Sequence, residues 1–527
     1  MLRRTPPVAL ASVLTASAVA LSGCGGVATS STTTPLVIGG TVRIAASSET
    51  PSFDPYSAFG ASQAHYAYDA LVNVAPDGAL VSGLASSWQA TTTTATFTLR
   101  PGITCSDGTA LTASAVARAL TYAGDPANQL AGAQTVLPNV PFKASADDGT
   151  GTVSATAAAP FPFLTRTIGL LPIVCPAGLD RPRSLDRVTQ GTGPYVLTRY
   201  TPGGPYEFTV RDDYSWGPAG ATTKEPGLPA HIVLSVVPQA STAANLLLTG
   251  GVDIAGVSGP DRARLTGRGL STADVATVIG LTFFNQRPGR ALSDRALRRA
   301  LVSALDRRGL ANVAVGGTGS PATDFGAEGA VCHADLADAN LPARNAAEAL
   351  RAAGWTRSGD GPLTKDGRPL QLRLITSPEL GPTLVSVAEL MARQWTKLGA
   401  EVDLVAESLP ALVNAMYRSA DFDVVVGSTP GVALPVGFIP FFSGPTPARG
   451  LNFAGVVNPE YDALVAQALQ ETDTTGCDTW NRAAAALFRS ADALPIAQGR
   501  SGVYGYRTTF ATTFGGRLVP TSIRLHE

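Results

Sequence analysis

The stretch "FFNQRPGRALSDRALRRALVSALDRRGL" occupies residues 283–310 and places five arginines (Arg295, Arg298, Arg299, Arg307 and Arg308) within fourteen positions. Ser293 is positioned to cap a helix in which Leu297, Leu301, Ala304 and Leu305 share one apolar stripe at helical spacing. That leaves Arg295, Arg298, Arg299 and Arg308 facing outward, part-paired with Asp294 and Asp306. Such a helix either reads nucleic acid or is the solvated face of a packed one, and the charge of the whole chain decides between them. Thirty-nine basic residues against forty acidic ones give a formal net charge of −1, so no overall field draws the protein to a polyanion. The arginines are read as a solvated face, and no nucleic-acid partner is expected.

The N-terminus points the same way. "MLRR" precedes the apolar run Val8–Leu21, which is the length of a signal-peptide core and short for a bilayer span. The run ends in "LSGCGG", where small residues before Cys24 have the form of a lipobox. Residues 1–23 are therefore expected to be a signal peptide read by the general export route, with Cys24 lipidated. A diacylated cysteine suffices for stable anchoring. Residues 24–40, rich in Gly, Ser and Thr, read as a flexible tether. The expected location is the extracytoplasmic face of a bacterial cell membrane.

About 500 residues remain, and 45% apolar against 15% charged content means a globular chain able to bury a core. Cys105, Cys175, Cys332 and Cys477 form no CxxC or Cys/His cluster, so no metal site is expected. In an exported chain an even number of cysteines indicates disulfides, with three possible connectivities. Strand and helix patterns alternate in both halves, the mark of an α/β fold. "GTVRIAAS", "ATFTLRPG", "LQLRLIT" and "AEVDLVAE" read as strands, and "GPYVLTRY" with "YEFTVRDD" as a hairpin about Pro202-Gly203-Gly204. "DFDVVVGS" (421–428) is nearly continuous in apolar residues and so is expected to be a central strand. Helices are expected after the caps Thr112, Asn345 and Asn458, and over residues 383–399 with Gly399 as the stop.

Chemistry that announces itself locally is missing. There is no G-x-S-x-G, H-E-x-x-H, P-loop or dinucleotide fingerprint, and the histidines (His65, His231, His333 and His526) are scattered. Catalytic residues and cofactors are expected to be none.

Four stretches, in order, resemble one family. "LRPGITCSDGTALTASAVARAL" (99–120), "GTGPYVLTRYTPGGPYEFTVRDDYSWG" (191–217), the opening stretch 283–310, and "AAEALRAAGW" with "NPEYDALVAQAL" are similar to the motifs of the family 5 solute-binding proteins. That family, of peptide- and nickel-binding proteins, serves ABC importers. The resemblance covers the chain from about Thr41. It implies a two-lobed periplasmic-binding-protein-like fold (type II, large peptide-binding class) with two hinge crossovers, near Leu281–Asn285 and Pro495–Gly499. Lobe I would comprise residues 41–282 together with 497–527, and lobe II residues 283–496. Within that architecture Cys105–Cys175 and Cys332–Cys477 would each close inside one lobe. The partners implied are a solute in the interlobe cleft and ABC permease subunits, and a monomer is expected.

The resemblance places two segments at the cleft. From the loop 47–60 come Glu49, Phe53 and Tyr56, the two aromatics being equally suited to the core, with Asp54 as a structural cap. From the crossover and the segment 424–442 come Asn285, Gly427, Ser428, Thr429 and Gly431. Peptide binders of the family place an aspartate after this second strand to pair with the ligand's α-amino group, since burying an unpaired ammonium costs several kcal/mol. Here no Asp or Glu occurs from Ser428 through Asn458. Glu49 and Glu407 are candidate substitutes; otherwise the cleft is expected to be apolar and lined with hydroxyls. Two functions follow from these observations: a receptor that captures a peptide-like or other mid-sized solute, or an envelope lipoprotein that uses the same fold as a regulator or scaffold.

Overall fold

Alternation in "TVRIAA" builds the strand Thr41–Ala46, with Val42, Ile44 and Ala46 buried. It belongs to the main sheet of the computed structural model, which describes residues 34–57, 61–317, 319–337, 345–429 and 434–527. The signal-peptide and lipobox readings, with Cys24, lie outside the described residues. Among those described the main sheet has eleven strands. Across ten of them the order is Glu401–Ala406, Gln371–Thr376, Val424–Gly427, Ser271–Phe284, Ala493–Gly505, Ile254–Val257, Thr41–Ala46, His231–Val236, Tyr206–Val210 and Tyr195–Arg199. Val424–Gly427 is an interior strand with every residue buried, as its apolar run predicts.

Two long strands, Ser271–Phe284 and Ala493–Gly505, hold the sheet together. Val424–Gly427 pairs with residues 281–284 of the first, and Ile254–Val257 with residues 502–505 of the second. Between those points, residues 275–280 and 496–501 pair with one another, joined over Ala497–Gln498 by the short strand Ser320–Pro321. The two halves of the sheet are thus linked by a narrow neck. Gly280 sits in it with φ +77°, where an L side chain is strained, and a Cβ there would meet the Ile496 and Leu384 side chains at 2.7 and 2.8 Å and displace them.

A four-stranded antiparallel sheet (Ala85–Ala90, Thr94–Leu99, Thr152–Ala157, Phe142–Asp147) packs with the helix Ala113–Gly124, which Thr112 caps by accepting from the Ala115 N–H. The motif residues of 191–217 converge on one carboxylate, Asp69. It accepts from Tyr214 Oη at 3.0 Å, Thr192 Oγ1 at 3.1 Å and Trp216 Nε1 at 3.2 Å. Gly193 lies so close to the backbone of residues 67–68 that a Cβ would come within 2.4 Å of it. Burial outweighs the three donors and pushes the Asp69 carboxyl up to about 6. A carboxyl raised above its unfolded value of about 3.9 favours folding while protonated, and that contribution is lost as pH rises through the folded value. From pH 5 to pH 7 the wild type is expected to lose about 1 kcal/mol relative to Asp69→Asn. Urea melts of the two proteins at both pH values test this; a constant difference contradicts it.

The opening stretch departs from its sequence reading in three ways. The helix starts one residue later, at Arg295, and Asp294 is its cap, accepting from the Ala296 N–H; Ser293 instead donates to the Arg290 carbonyl. The helix stops at Ser303, and Asp306 caps a second one, Arg307–Val315. The arginines do not all face water: Arg295, Arg299 and Arg308 do, but Arg298 is buried against Asp492 at 2.8 Å. Asp294 pairs with Lys365, and Asp306 caps the second helix. The helices Ala346–Ala352 and Pro459–Ala468 open on Asn345 and Asn458, whose side chains accept from the Glu348 and Tyr461 N–H groups.

Cys105–Cys175 and Cys332–Cys477 are the two disulfides. A second contact joins distant parts of the chain: Arg166, on a buried helical turn, meets Asp473 at 2.6 Å and the Gly78 carbonyl at 2.9 Å. The Asp473 N–H donates to the Pro162 carbonyl, and Phe163 lies against Trp480. The described residues from Leu36 to Glu527 form one compact unit.

Candidate functional site

The direction of the strands locates the site. Thr41–Ala46, His231–Val236 and Ile254–Val257 run parallel, and the register of the last, Ile254 opposite Gly505 and Val257 opposite Gly502, carries all three toward the neck. In the other half Gln371–Thr376, Glu401–Ala406 and Val424–Gly427 are parallel, and Val424 opposite Phe284 with Gly427 opposite Leu281 carries them toward the neck from the far side. Six carboxyl ends therefore converge on the neck. In open α/β sheets the crevice outside such ends, where the connections diverge, is where ligands bind.

The loops leaving these ends carry the polar groups. Ser428 is exposed, and Thr429 donates to the Val278 carbonyl at 3.2 Å, tying the loop after its strand to the neck. Ser377 is buried and accepts from the Glu379 N–H, and Ser408 opens the helix Leu409–Asn414. In the neck itself Gln498 pairs with Val278 and Ser320, and its Oε1 is buried with no hydrogen-bond partner among the described residues. A buried amide oxygen without a donor is costly. Sequence reasoning missed Gln498, Ser377 and Ser408. Applying the strand-end rule to "LQLRLIT" and "AEVDLVAE" would have found the two serines.

The carboxylates near the strand ends are engaged with the protein itself. Glu49 accepts from the Gly203 N–H at 2.8 Å, bracing the hairpin turn. Glu407 accepts from Arg373 at 3.1 Å, and Glu379 from the Leu409 N–H at 3.0 Å. Asp423 is structural, accepting from the Arg373 N–H, and Asp421 lies near the same arginine.

The other residues read from the sequence divide. Gly427 ends its strand at the neck, beside Ser428 and Thr429. Phe53 and Tyr56 are fully buried: Phe53 packs edge-on against Tyr206 and Phe208, and Tyr56 lies in the same core. Asp54 accepts from the Tyr56 N–H as a local cap. Asn285 is not brought to this group. It follows the end of its strand remote from the neck, fully buried, and donates to the Ala420 and Phe422 carbonyls at 3.3 and 2.8 Å. Gly431 and residues 58–60 lie outside the described residues.

A mixed α/β sheet with its strand ends gathered at a two-strand neck is the architecture of periplasmic substrate-binding proteins. A substrate-binding protein from Microbacterium hydrocarbonoxydans, solved with 4-hydroxybenzoate hydrazide, superposes with a TM-score of 0.68 at 27% identity over 92% of this chain and 100% of that one. The family model "Bacterial extracellular solute-binding proteins, family 5 Middle" matches residues 79–449. The chain belongs to family 5 of the bacterial extracellular solute-binding proteins. Protein XP55 of Streptomyces lividans is 31% identical over 330 residues, 59% of this chain and 57% of that protein. The oligopeptide-binding protein AppA of Bacillus subtilis is 26% identical over 294 residues, 54% of this chain and 51% of that protein. These alignments span about half the length of each relative. No helix among the described residues is long and apolar enough to cross a membrane.

Proposed function

We propose that this protein captures a mid-sized, uncharged or N-blocked solute, peptide-like or otherwise, at the neck and delivers it to an ABC permease, without catalysis of its own. The observation that carries the reading is the convergence of six strand ends on the neck, where hydroxyls stand beside the Arg500–Glu328 ion pair. In this reading residues 41–282 with 497–527 form one lobe and 283–496 the other. The neck is the hinge, and closure buries the solute. Glu49, Glu379 and Glu407 are already bonded to protein groups, so a free ammonium finds no waiting carboxylate among them. The 4-hydroxybenzoate hydrazide held by the Microbacterium protein supports a solute of modest size without a peptide terminus. Export and anchoring through Cys24 complete the reading. Mass spectrometry of the protein extracted from its host membranes tests both parts: a diacylated Cys24 as the mature N-terminus, and a small molecule released on denaturation.

A further inference from the structure

Arg166 and Asp473 meet at a seam to which the neck contributes no residue. Arg166 lies on the turn Leu164–Thr167, packed against the four-stranded sheet, and that sheet shares no strand pairing with the main one. Asp473 opens the turn Asp473–Gly476, which leads into the helix Cys477–Ser490. Across the seam Arg166 Nε donates to Asp473 at 2.6 Å, and the Asp473 N–H donates to the Pro162 carbonyl at 3.0 Å. The Phe163 and Trp480 rings lie 6.1 Å apart beside them. The Arg166 side chain is 8% exposed, so its charge rests on these partners and little on water. The same guanidinium braces its own side of the seam, where Nη1 donates to the Gly78 carbonyl at 2.9 Å. Gly78 in turn stands against the loop 324–333: a Cβ on it would come within 3.2 Å of the Gly329 carbonyl oxygen. Cys332–Cys477 ties that loop to the helix carrying Trp480, so the groups opposite Arg166 and Gly78 form one connected side.

We infer that Arg166 and Asp473 are positioning residues for solute capture, a latch that holds the two lobes closed and sets how fast a captured solute leaves. The inference rests on the proposed hinge at the neck. Rotation there leaves the pairing of residues 275–280 with 496–501 intact but parts groups on either side of it, so each opening must break the Arg166–Asp473 bond. A charge-assisted bond with a buried donor resists that step, and its loss acts on release more than on encounter. The test is a double electron–electron resonance measurement on the mature protein with Cys24→Ser, freed of solute by dialysis through urea. Nitroxides are placed at Ala146→Cys and Ala466→Cys, two exposed positions on opposite sides of the seam. The parent is expected to show mainly the shorter of two interspin distances. Arg166→Met keeps most of the apolar stem, and Asp473→Asn keeps the size and the left-handed backbone conformation at φ +50°. Each is expected to shift the closed-to-open ratio about tenfold toward the longer distance, with circular dichroism confirming the fold. Distance distributions equal to the parent's in both variants overturn the latch. The triple variant Arg166→Met/Asp473→Asn/Glu328→Gln then separates the causes. If it opens, only the latch has failed; if it stays at one distance, the hinge at the neck has failed with it.

Discussion

Replacing Arg298 with alanine is expected to lower stability by about 3–5 kcal/mol. The side chain is 4% exposed, and its guanidinium donates to the Leu292, Ser490 and Ala491 carbonyls and to Asp492, which is 1% exposed. Burial pushes the Asp492 carboxyl up and the Arg298 guanidinium down, each toward neutrality, and the 2.8 Å contact between them opposes both shifts. Removing the arginine would leave a buried carboxylate with only Asn458 Nδ2, at 2.7 Å, and three carbonyls with no donor. The damage would spread, because Asn458 also caps the helix Pro459–Ala468 through the Tyr461 N–H. Urea midpoints of wild type, Arg298→Ala and the double variant Arg298→Ala/Asp492→Ala measure the effect. A loss below about 1 kcal/mol in the single variant would mean that water or rearrangement satisfies the carboxylate, contrary to its burial.

Reduction of the two disulfides carries the other large effect. The bridges span 70 and 145 residues of chain, and each is expected to contribute about 2–4 kcal/mol, in the chain-entropy account mainly by constraining the unfolded ensemble. Their accessibility differs: Cys105 and Cys175 are fully buried, whereas Cys332 and Cys477 are part-exposed. Graded reduction is therefore expected to open Cys332–Cys477 first, with a first fall in melting temperature, and Cys105–Cys175 only near unfolding. Thiol labelling followed by peptide mass spectrometry reads the order. Four labelled cysteines in the unreduced native protein would refute both bridges.

These contacts show how far local sequence carried the fold. Thr112, Asn345 and Asn458 were readable as caps because a cap needs only its own next turn. The strand Val424–Gly427 was readable as central because burial on both faces leaves a continuous apolar run. Arg298 was misread because its partner is 194 residues away, and helical periodicity puts it at the edge of the apolar stripe, where either orientation fits. The convergence of Tyr214, Trp216 and Thr192 on Asp69 was hidden for the same reason, although the motif residues themselves were conspicuous. Of the residues read from the sequence as lining the cleft, Gly427, Ser428 and Thr429 follow a single strand and lie beside the neck. Gln498 owes its position to pairing with Val278 and Ser320, which no local pattern encodes.

The most direct test of the central claim, that the neck holds an uncharged or N-blocked solute, is denaturing mass spectrometry of the protein purified from its native host. The expected result is a small molecule released in stoichiometric amount, without a free α-ammonium group. Release of peptides with free amino termini would contradict the account. So would repeated recovery of solute-free protein bound to an envelope partner, which would favour the regulator or scaffold reading.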